Sequence, residues 1–86
     1  MNAAPQIKAF ILRAIHQAGG QPLPDSTLRA AVRMAFPHLT LTEADVKELI
    51  GDLDAAGLIT GTTNTFTEQL VWVLTDKGTL QLRQLP

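Results

Sequence analysis

The chain has 86 residues, a formal net charge of −1, no cysteine, and 45% hydrophobic against 17% charged residues. These values fit one domain, residues 1–86, and exclude a doubly wound sheet, a two-domain enzyme and a charge-rich disordered tail. The missing cysteines exclude disulfide frameworks, thiolate nucleophiles and cysteine-based zinc sites, and the near-neutral balance lacks the basic excess typical of nucleic-acid binders.

No stretch approaches the roughly 18 consecutive apolar residues of a membrane helix. Met1-Asn2-Ala3-Ala4-Pro5 lacks the basic start and apolar run of a signal peptide, so the expected location is cytoplasmic, with no membrane partner. The spacing of Ile7, Phe10, Ile11, Ala14, Ile15 and Ala18 predicts a first helix from about Pro5 to Ala18, with Gly19-Gly20 ending it. Leu12 lies off that stripe, which implies either a helix buried on two sides or a contact with a partner. Gln21-Pro22-Leu23-Pro24 is a connector, where some folds place a short extended strand. Asp25 or Ser26 caps a second helix running to about Phe36, with Leu28, Ala31, Val32 and Ala35 inward and Arg29 and Arg33 together on the outside.

A turn over Pro37 to Leu41 leads to a third helix capped by Thr42, with Asp45 placed for a reciprocal capping box and Glu43 favourable to the helix dipole. Val46, Leu49, Ile50 and Leu53 are its inner face, and Gly57 stops it. The period then changes to two. Leu58 to Thr63 and Gln69 to Thr75 predict an antiparallel two-stranded hairpin with a polar, mobile tip from Thr62 to Glu68. Leu80, Leu82 and Leu85 give the tail apolar character, as a fourth short helix or as an extended segment across the first helix. The expected core is Ile7, Phe10, Ile11, Ile15, Leu28, Val32, Val46, Leu49, Ile50, Leu53, Leu58, Trp72 and Leu74.

Two local patterns carry a resemblance. Leu49-Ile50-Gly51-Asp52-Leu53-Asp54-Ala55-Ala56-Gly57-Leu58-Ile59 is similar to the L-x-x-L-x-x-x-G-L-I run that closes the third helix in MarR-like and ArsR-like proteins. Trp72-Val73-Leu74-Thr75-Asp76-Lys77-Gly78 is similar to the y-x-L-T-x-x-G run that ends their wing. With the element order, the chain resembles the winged helix-turn-helix family over nearly its whole length. The resemblance implies an α+β fold: a three-helix bundle, a two-stranded wing and a short C-terminal segment. The fold serves both DNA binders and protein-interaction modules. The Pro37–Leu41 turn is longer than the 3–4 residues of a standard helix-turn-helix.

In that family the third helix enters the major groove. Here the segment from Glu43 to Ala56 carries one base, Lys47, against five acids, Glu43, Asp45, Glu48, Asp52 and Asp54. Phosphates are repelled by such a segment. Two functions therefore stand side by side. The first is a protein-interaction or accessory regulatory module whose partner is a protein or a second copy, with Glu43, Glu48, Asp52, Leu12, Trp72 and Leu82 as candidate contacts. The alternative is a dimeric, sequence-specific DNA-binding regulator of bacterial or phage type, with Arg29, Arg33, Lys47 and Asn64 as contacts.

Other constellations read as structural. His16 suits a helix C-terminus, His38 a solvated turn, and Ser26, the only serine, a helix cap. Glu48 and Asp52, one turn apart, read as the wet face of the third helix, and Trp72 as packing on the helices or as a partner anchor. No nucleophile–base pair, metal set, cofactor motif or small-molecule signature stands out. The expectation is a non-enzyme without cofactor or metal.

Overall fold

The computed structural model describes residues 3–85, so Met1 and Asn2 of the Met1–Pro5 stretch lie outside the described residues. The elements are α1 (Ala4–Gln17), β1 (Leu23–Pro24), α2 (Asp25–Ala35), a 3₁₀ turn (Pro37–Leu39), α3 (Glu43–Ala55), β2 (Ile59–Thr63), β3 (Leu70–Leu74) and α4 (Asp76–Arg83). The described chain is thus a small α+β structure with four helices and a three-stranded antiparallel sheet ordered β1-β3-β2.

The third strand corrects the two-stranded expectation. Leu23 pairs with Trp72 and Pro24 with Val71. Pro22 and Pro24 hold the connector extended, and β1 spans two residues because proline has no N–H to lengthen a ladder. The β2–β3 register runs from Ile59 opposite Leu74 to Thr63 opposite Leu70. The tail resolves as α4.

The expected capping of α3 is present. Thr42 Oγ1 accepts the Asp45 N–H at 3.1 Å, and Asp45 Oδ2 accepts the Thr42 N–H at 3.0 Å. At the other end Gly57 adopts φ 78°. The Leu58 N–H reaches back to the Leu53 carbonyl and the Gly57 N–H to the Asp54 carbonyl, both at 3.0 Å, closing the helix in a Schellman motif. For α2 the expectation fails. Pro24 occupies the cap position without a side-chain bond, and Asp25 is the first helical residue.

Thr75 and Lys77 explain why the second signature looks as it does. Thr75 Oγ1 donates to the Gly57 carbonyl at 2.6 Å and accepts the Gly78 N–H at 3.0 Å, capping α4. Lys77 Nζ donates to the Ala56 carbonyl at 2.8 Å, satisfying an orphan group at the end of α3. A Cβ at Gly78 would collide with the Leu58 carbonyl oxygen, so the close approach of α4 to that backbone requires glycine.

The core comprises Ile7, Ile11, Leu12 and Ile15 of α1, Leu28 and Val32 of α2, Val46, Ile50 and Leu53 of α3, Ile59 and Trp72. Phe10, Leu49, Leu58 and Leu74 are half-buried around it rather than inside it, while Leu12 and Ile59 are inside. Ala35 is exposed, not inward. Leu12 is only 2% exposed because α1 packs against α2, α3, α4 and β3, which covers it on more than one side. Phe10 and Phe36 meet edge to face at 5.6 Å. No helix of the described residues is long and apolar enough to cross a membrane.

Candidate functional site

The two arginines of α2 are drawn together by one residue of α3. Arg29 Nη1 donates to Glu43 Oε2 at 2.7 Å, and Arg33 Nη1 donates to Glu43 Oε1 at 3.2 Å. The one-turn spacing of the arginines and the position of Glu43 at the start of α3 make the clamp possible. Arg29 Nε also lies 2.9 Å from Asp25 Oδ2, an ion-pair contact that is not an aligned hydrogen bond. Asp25 Oδ1 accepts the Trp72 indole N–H at 2.8 Å. The chain of contacts runs from the sheet through Asp25 and Arg29 to Glu43, and then to Arg33.

Part of the exposed surface of α3 lines two separate grooves. Lys47 and Gly51, one turn apart, line a groove of about 430 Å³ with Asp25, Arg29, Ile50, Leu70 and Trp72. Asp45, Glu48, Leu49 and Asp52, at helical spacing, line a second groove of about 390 Å³. Its remaining walls are apolar: Ala3, Ala4 and Ile7 from the start of α1, and Leu39 and Leu41 from the turn before α3. The five acids counted along the sequence therefore do not form one face. Glu43 is tied to arginines, and Asp45, Glu48 and Asp52 rim the α1 side. Lys8 reaches Asp52 at 3.5 Å, and Glu48 has no ion pair among the described residues. The Thr42 backbone N–H, and secondarily its hydroxyl, hold the Asp45 carboxyl below the usual aspartate range.

Of the basic candidates, the structure brings Arg29 and Lys47 to one groove and Arg33 to the Glu43 clamp. Asn64 stands apart at the hairpin tip, where its Oδ1 accepts the N–H groups of Phe66 and Thr67 at 2.8 and 3.2 Å. Of the apolar candidates, Leu12 is buried in the core and offers no surface, and Leu82 is half-buried where α4 packs on α1. Trp72 is 7% exposed, with its indole N–H bonded within the chain, so packing is its main role and only an edge reaches the groove.

Sequence reasoning missed two strongly exposed apolar residues, Met34 on α2 at 80% exposure and Phe66 at the hairpin tip. The tip is a hydrogen-bonded turn in which Asn64 N–H donates to the Gln69 carbonyl, Glu68 N–H donates to the Asn64 carbonyl, and Glu68 takes φ 57°. It presents Phe66 at 97% exposure. The signal was a lone aromatic in a threonine-rich turn, masked by the polarity around it. Comparison of the chain with family models, with curated proteins and with solved structures gives no match.

Proposed function

We propose that this chain is a winged-helix-type module that works by binding a protein segment in the acid-rimmed groove between α1 and α3, and that it is not an enzyme. The observation that supports this is the lining of that groove: an apolar floor of Ile7, Leu39, Leu41 and Leu49 beside Asp45, Glu48 and Asp52. Such a surface suits a short amphipathic segment with apolar side chains between lysines or arginines. The partner's cations meet the carboxylates, and its apolar residues cover the floor. The clamp on Arg29 and Arg33 supports the same reading, because the Glu43 carboxylate already offsets part of their charge and competes with a phosphate for them.

The test pairs two titrations at low salt. A labelled peptide alternating arginine with leucine is expected to bind saturably, and Glu48→Gln with Asp52→Asn to weaken it by about tenfold, the loss of two exposed charge contacts at a partly dry surface. A labelled mixed-sequence duplex is expected to give no saturable signal below about 100 μM, the weak limit of ordinary non-specific DNA binding. Saturable duplex binding in that range, with no peptide binding, overturns the reading. One observation favours the DNA alternative: Lys47 has no ion pair among the described residues and shares its groove with Arg29. That reading requires Lys47→Ala to abolish duplex binding.

A further inference from the structure

The two edges of the sheet are unequal. The β1 edge is two residues long, and prolines at 22 and 24 blunt it. The β2 edge is five residues long, Ile59-Thr60-Gly61-Thr62-Thr63, and has neither proline nor charge. From Leu58 to Thr67 there is no Asp, Glu, Lys or Arg. Natural sheets normally protect an open edge with lysine, proline or a bulge, because unpaired N–H and C=O groups there template pairing with another chain.

The direction of those groups follows from the ladder. Thr75 N–H donates to the Leu58 carbonyl at one end, and Asn64 N–H donates to the Gln69 carbonyl at the other. Alternation in an antiparallel ladder then turns residues 58, 60, 62 and 64 toward β3 and the backbone of Ile59, Gly61 and Thr63 toward the open edge. We infer that this edge pairs antiparallel with β2 of a second copy, about a two-fold axis at Gly61.

In this register Gly61 faces Gly61 of the partner subunit, and Ile59 faces Thr63 of the partner subunit. Both are positions whose backbone groups point outward. Thr60 stands beside Thr62 of the partner subunit, a compatible cross-strand pair. Asn64 stands opposite Leu58 of the partner subunit. The tip beyond it, which carries the exposed Phe66, reaches the partner subunit's Ala56 and Gly57, which are small. The register thus brings Phe66 toward the methyl of the partner subunit's Ala56, next to which the Lys77 side chain lies along Gly57 and Ala56 within each copy. The assembly closes on itself, because joining the β2 edges leaves only the two proline-blunted β1 edges outside. The surface is separate from the α1–α3 groove, so the dimer stands or falls independently of what that groove binds.

Sedimentation equilibrium up to about 500 μM tests this, the concentration being set by an interface at the small end of the specific range. The average mass is expected to rise from the 9.3 kDa of one chain toward twice that value. Thr60→Lys with Thr62→Lys places like charges opposite one another and is expected to leave only monomer. Thr60→Glu with Thr62→Lys places opposite charges across the same pair and is expected to restore the dimer. Both threonines are exposed, and circular dichroism checks that each variant folds. Phe66→Ala removes a side chain without contacts in the monomer and is expected to weaken association about fivefold with no change in melting. A native chain that stays monomeric, a dimer indifferent to the double-lysine change, failure of the charge swap to restore association, or an unaltered Phe66→Ala dimer would each overturn the pairing.

Discussion

At the scale of single residues, two positions do more than their size suggests. Gly78 sits where the first turn of α4 touches the Leu58 backbone, and a Cβ there meets the Leu58 carbonyl oxygen, which cannot rotate away. Gly78→Ala is therefore expected to cost about 3 kcal/mol, read as a shifted urea midpoint at constant slope, and helix propensity will not offset it. Asp45 is the second position. Its carboxyl is held low by the Thr42 backbone N–H and then by the Thr42 hydroxyl, so the charged form is the one the fold favours. A carboxyl lowered in the folded state adds stability above its unfolded pKa of about 3.9 and loses it as pH falls through its folded value. The melting temperature is accordingly expected to drop on acidification below about pH 4, and the drop to be smaller in Asp45→Ala. Equal acid sensitivity in the two chains would show that the destabilising proton uptake lies at other groups.

At the scale of elements, the clamp of Glu43 on Arg29 and Arg33 joins α2 to α3 across the Pro37–Leu41 turn. All three side chains are solvated enough that the clamp contributes less than about 1 kcal/mol. Its effect is on availability of charge. Glu43→Gln is expected to leave the melt almost unchanged and, by freeing two arginines, to bring salt-sensitive duplex binding below about 100 μM, where the native chain shows none. The helices were legible in the sequence because each has local markers: the Thr42–Asp45 pair, Gly57, and the stripe from Val46 to Leu53. The pairing of β1 was not, although the connector left room for a short strand, since two residues have no periodicity and Leu23 acquires a partner only when Trp72 arrives 49 positions along the chain. The sign of α3 was misleading for a related reason. A count along the chain adds five acids, whereas a helix sends Lys47 and Gly51 to one side and Asp45, Glu48 and Asp52 to the other. The clamp itself depends on the backbone path of the turn, where Thr40 takes φ 50°, and nothing in its composition announces that.

At the scale of the molecule, all helices and the sheet share one core built around α1. A chain this short buries a modest fraction of its surface, so a single cavity is a large perturbation. Leu53 is 3% exposed and lies between α3 and the rest of the core. Leu53→Ala is expected to cost about 2–5 kcal/mol in a denaturant melt, and an unchanged midpoint would misplace the inner face of α3. The two grooves flank the same helix yet differ in one spectroscopic respect. The chain has one tryptophan and no tyrosine, and that indole bonds to Asp25 beside Arg29 and edges the Lys47 groove alone. Its emission is thus a built-in optical reporter of one groove. A ligand seated at Lys47 perturbs it directly, whereas a ligand seated between α1 and α3 leaves the spectrum in place, so unlabelled protein in a cuvette tells which side of the helix is occupied.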